Sequence, residues 1–68
     1  MKLVAKHNNL KFVVEDDLPG IGFYLYVFNS DDRCIADYLQ DTEIMVKEFA
    51  LEEFGVPINL WDTDERTL

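Results

Sequence analysis

Sixty-eight residues, 49% apolar and including five Phe, three Tyr and one Trp, suffice for one folded domain at a size where a single core is marginal. One cysteine (Cys34) and one histidine (His7) exclude an internal disulfide and a His/Cys zinc site, leaving oligomerisation as the way to add buried surface. The net charge of -8, from 14 acidic and 6 basic residues, disfavours generic phosphate-backbone binding and favours solubility or a basic protein partner.

The N-terminal residues carry no signal-peptide pattern and no stretch approaches a membrane span, so a cytoplasmic protein with no membrane association is expected. The lone cysteine agrees with a reducing compartment. Repeats, linkers and low-complexity tracts are absent, and residues 1–68 read as one small domain with a frayed tail over 62–68.

Turn residues divide the chain. "HNN" at 7–9 separates two alternating runs, 2–6 and 10–16. "DDLPG" at 16–20 holds a Pro19-Gly20 pair suited to a type II turn, and the aromatic run 21–29 follows. "NSDD" at 29–32 precedes a fourth run, 33–39. The pattern predicts a four-stranded antiparallel meander. The period then changes: "DTEIMVKEFALEEFG" predicts a helix over 42–54, with Asp41 as N-cap, Gly55 as the residue that ends it and Pro57 beyond. Met45, Val46, Phe49, Ala50 and Phe54 form its broad apolar face, and Ile44 with Leu51 forms a narrower stripe, read as edge packing. Glu53 falls within the broad arc and is expected to pack its stem there. The fold class is α+β, a four-stranded antiparallel meander with one C-terminal helix packed on one face.

"GFYLYVF", Gly22 to Phe28, is apolar on both faces. Tight turns pair Phe12 with Val27 and Val14 with Leu25, and also Ala5 with Phe12 and Val27 with Cys34; a slip of one residue would bury Lys11 and Glu15. The core face is then Leu3, Ala5, Phe12, Val14, Phe23, Leu25, Val27, Cys34, Ala36 and Tyr38. The opposite face has a middle row of Val4, Val13, Tyr26 and Ile35. Lys6, Lys11, Phe28 and Arg33 flank it on one side, and Lys2, Glu15, Tyr24 and Asp37 on the other. Four of the six basic residues fall on it.

That face has three readings. Leu60 and Trp61 of the tail could cover it; a second protein chain could; or bases of single-stranded nucleic acid could stack on Tyr24, Tyr26 and Phe28. The acidic balance and the lack of an RNP-type motif place nucleic acid last. The partner-binding candidates are Val4, Lys11, Val13, Tyr24, Tyr26, Phe28, Arg33 and Ile35.

No catalytic residue, cofactor-binding residue, metal ligand or small-molecule substrate is expected. His7 reads as a turn residue and Cys34 as an inert core hydrophobe. Asp31-Asp32 does not supply a six-oxygen cation cage. No Ser-His-Asp or Cys-His constellation and no phosphate-binding glycine loop is present, and Asp37 beside Tyr24 lacks the enclosing pocket that acid–base work needs.

The "DLPG" turn, a following strand and the "DTEIMVKEFALEEFG" helix resemble the N-terminal domain of HicB-like antitoxins over some 40 residues. The chain departs from that pattern by the aromatic strand 21–29, in place of a short glycine-rich segment, and by a plain meander without a crossover. The resemblance implies a small acidic toxin-neutralising or regulatory protein and assigns no site residue. The expected function is a non-catalytic interaction module, homodimeric or docked on a basic bacterial protein, with a single-strand nucleic-acid binder as the alternative.

Overall fold

Asn8 and Asn9 both take left-handed backbone angles, φ 53° and 65°. A type I′ hairpin turn requires that pair of angles, and asparagine tolerates them. The turn joins β1 (Lys2–His7) to β2 (Leu10–Asp16), with Leu3 opposite Val14, Val4 opposite Val13 and Ala5 opposite Phe12. β2 pairs in turn with β3 (Phe23–Phe28), Phe12 opposite Val27 and Val14 opposite Leu25. Both registers are those that the turns and the alternation predict. The structure, a computed structural model, describes residues 2–16 and 21–63; the expected Pro19-Gly20 turn lies outside the described residues.

Gly22 opens β3 at φ 124°, and a Cβ there would stand 2.6 Å from the Gln40 carbonyl oxygen. Only glycine lets the backbones of β3 and β4 (Cys34–Gln40) approach this closely.

The β3–β4 connection departs from the expected tight turn. Asn29 closes it: its side-chain oxygen accepts from the Asp31 and Arg33 N–H groups at 2.9 and 3.0 Å, and its own N–H donates to the Arg33 carbonyl at 2.9 Å. This loop spends one residue more than a tight turn and places Phe28 opposite Cys34. A β-bulge then spends another, so Val27 faces Ala36, Leu25 faces Tyr38 and Phe23 faces Gln40. Beyond the bulge the slip is two residues, which leaves Ala36 and Tyr38 on the core side. Cys34 is the correction: it pairs with Phe28 and is exposed, its Sγ donating to the Ala36 carbonyl at 3.4 Å, where a core position was expected.

The helix α1 (Glu43–Phe54) starts at Thr42, not at Asp41. Thr42 Oγ1 accepts from the Met45 N–H at 3.1 Å, satisfying one of the free donors of the first turn. Gly55, at φ 74°, donates to the Leu51 carbonyl while Val56 reaches back to Ala50, the double closure that ends a helix in a left-handed residue.

α1 packs on one sheet face. Val46, Ala50 and Val56 meet Phe12, Val14, Leu25 and Val27, all fully buried, with Leu3 and Ala5 at the margin. Tyr38 stands 4.6 Å from Phe49 and 6.2 Å from Phe54, and Phe54 stands 5.2 Å from Phe12, ring centre to ring centre. These tilted aromatic pairs seal the helix against the sheet. Met45 and Glu53, both expected against the core, are exposed.

After Pro57 a 3-10 turn (Ile58–Leu60) brings Trp61 against the same core, and Asp62–Thr63 forms a short β5 beside β1. Asp62 and Thr63 are therefore paired strand and not part of a frayed tail. The sheet has five strands in the order β4-β3-β2-β1-β5. Among the described residues the buried Trp61 indole N–H has no hydrogen-bond partner, and Glu53 does not reach it.

Two outcomes follow from this packing. Phe12→Ala empties the centre of the core and lowers the free energy of unfolding by about 3–5 kcal/mol, read by urea denaturation. Cys34 of the native chain reacts with a thiol reagent at the rate of an exposed thiol, without denaturant; protection until unfolding would place it back in the core.

Candidate interaction surface

Because alternate residues of a strand point to opposite faces, the register that builds the core also builds its reverse. The middle row across the second face is Asp62, Val4, Val13, Tyr26 and Asp37. Lys6, Lys11, Phe28 and Cys34 form one flanking row, and Lys2, Glu15, Tyr24 and Leu39 the other.

Six of the eight expected partner-binding residues (Val4, Lys11, Val13, Tyr24, Tyr26 and Phe28) come together here as expected. The other two are displaced. Ile35 leaves the middle row, because the bulge sets it beside Cys34 and gives its place to Asp37; it is 54% exposed. Arg33 precedes β4, held by its backbone to Asn29. Leu39, 49% exposed, joins the face opposite Tyr24, a position the tight-turn register gave to Asp37.

Packing within the face is substantial. Tyr24 and Tyr26, two apart on β3, stack with ring centres 5.8 Å apart and planes 19° from parallel. Val13 is only 7% exposed, although no helix or strand among the described residues covers it. It lies under the stems and rings that line a shallow depression of about 230 Å³: Lys2, Lys6, Lys11, Glu15 and Phe28, with Val4. Lys11 holds its ammonium 5.1 Å from the Phe28 ring centre and 3.3 Å from an Asp32 oxygen.

The electrostatics differ from the basic face expected. Lys2, Lys6 and Lys11 share the surface with Glu15, Asp37 and Asp62, and Asp32 already engages Lys11. The face is mixed and near balance. Leu60 and Trp61 do not cover it: Trp61 turns to the helix side and Leu60 is exposed. β5 extends the sheet without crossing it. Asp37 and Asp62 were not expected in the middle row, since neither a bulge nor a two-residue strand leaves a periodic signal.

A second concavity, about 490 Å³, opens at the end of the sheet between the two loops, lined by polar groups including His7, Asn8, Asn29 and Asp32. No three His, Cys, Asp or Glu residues among the described residues converge as they would around a metal ion. No helix among them is long and apolar enough to cross a membrane. Comparison with models of known protein families, with curated proteins and with solved structures finds no match to this chain.

Proposed function

We propose that the chain is a small acidic, non-catalytic protein-interaction module of regulatory or toxin-neutralising type, and that a second copy of the same chain covers its open sheet face. The observation that carries this reading is an aromatic and aliphatic face that, among the described residues, is left bare, since α1 and Trp61 both pack on the other side. Tyr24, Tyr26, Val4 and Val13 form an apolar centre with a charged rim, the anatomy of a protein interface.

Self-association suits the apolar centre of the face and the Lys11 and Glu15 that flank Val13. A two-fold axis along the middle row sets one flanking row on the other: Lys11 meets Glu15, Phe28 meets Tyr24 and Cys34 meets Leu39 of the second copy. Tyr26 and Val13 meet themselves on the axis, and the like charges (Lys6 against Lys2, Asp37 and Asp62 each against its own copy) fall toward the outer strands. It also supplies the buried area that a 68-residue core lacks. Single-stranded nucleic acid is the competing reading, and the three carboxylates among the lysines weigh against it.

Analytical ultracentrifugation from micromolar to millimolar concentration tests the proposal. The expected result is a dimer whose dissociation constant rises at least about tenfold in Tyr26→Ala, because that change removes the centre of the patch. A monomer at all concentrations overturns the second copy. Salt-sensitive shifts of the Tyr24, Tyr26 and Phe28 resonances with a single-stranded oligonucleotide would transfer the face to the competing reading.

A further inference from the structure

The outer side of α1 carries an apolar surface that its own fold does not use. Ile44 is 70% exposed, Leu51 44% and Met45 42%, so the edge packing expected of Ile44 and Leu51 does not form. Helical spacing brings these residues together. Ile44 and Leu51, seven apart, stand about 10 Å from each other along one line of the helix. Glu48 lies between them, and Met45 and Glu52 occupy the adjoining line. Val46 and Ala50 are spent on the core, so α1 is apolar toward the sheet and again toward solvent. A helix apolar on two sides is one that is covered on two sides.

The charges around this stripe identify what covers it. α1 holds Glu43, Glu48, Glu52 and Glu53 against a single Lys47, and Lys47 is tied to Glu43 at 2.9 Å. Among the described residues Glu48 and Glu52 have no ion-pair partner. A second copy packed helix to helix would set these glutamates against each other. This glutamate-rich helix surface therefore attracts a basic partner.

We infer that the outer face of α1 docks a basic amphipathic segment of another protein. Its apolar residues would lie on Ile44 and Leu51, and its lysines or arginines would meet Glu48 and Glu52. The site is separate from the sheet face: pairing through the sheet leaves both outer helix faces free, so a dimer would present two such sites.

The test uses the full chain, isotope-labelled, and two synthetic peptides of one composition. One is a Lys/Leu helix-forming peptide with leucines at helical spacing, and the other has its order permuted so that no apolar stripe forms. The ordered peptide should bind at least about tenfold tighter, shift the resonances of Ile44, Glu48, Leu51 and Glu52, and weaken with added salt. Leu51→Ser and Glu48→Lys alter exposed side chains, and each should weaken it by about fivefold or more, while Tyr26→Ala should leave it unchanged. Equal affinity for both peptides, shifts confined to the sheet face, or indifference to both helix substitutions would overturn the assignment. Because Tyr26→Ala and the helix variants report on different faces, the dimer and this site fail or stand separately.

Discussion

A β-sheet has two faces, and the described residues supply one helix with which to cover them. The seating of Val46 and Ala50 against Phe12, Val14, Leu25 and Val27 decides how the rest of the molecule is arranged. It spends the inward side of α1, the alternate residues of all four long strands and, through Trp61, the tail as well. What remains is surface by default: Val4, Val13, Tyr24, Tyr26 and Phe28 behind the sheet, Ile44 and Leu51 behind the helix. In a small domain one burial choice fixes both the core and the surfaces open to other molecules.

The two exposed surfaces differ in ways that follow from their elements. A strand face sets side chains opposite one another across neighbouring strands, so lysines from β1 and β2 fall beside carboxylates from β2, β4 and β5 and the field largely cancels. A helix face displays only its own sequence, and α1 is rich in glutamate. The sheet side is therefore near electrical balance, and the helix side is net acidic.

The sequence was legible where parity decides and opaque where counting does. Asn8-Asn9 and the alternation of β1, β2 and β3 specify those registers, since a slip of one residue buries Lys11. The β3–β4 ladder slips by two, and hydrophobic alternation is blind to that; only the Asn29-closed loop and the bulge reveal it. Six partner-binding candidates sit where expected because they lie on the strands whose register was secure. Arg33 and Cys34 moved with the Asn29-closed loop, and Ile35 with the bulge. Asp41 and Thr42 are both acceptable caps by type, and which one reaches Met45 depends on the path of the chain leaving β4. The pairing of Asp62–Thr63 with β1 comes from where Pro57 and the 3-10 turn deliver the chain, since two residues have no period.

The bulge beside Ile35 has a further meaning for how the molecule behaves in a crowd. An edge strand offers unpaired backbone to any passing strand, and regular, flat edges recruit copies without limit. β4 is one edge and is kinked at the bulge by Cys34 and Ile35; β5, the other, runs for two described residues. Among the described residues neither presents a long straight template for fibril growth. Blunted margins of this kind disfavour endless edge-wise accretion of copies.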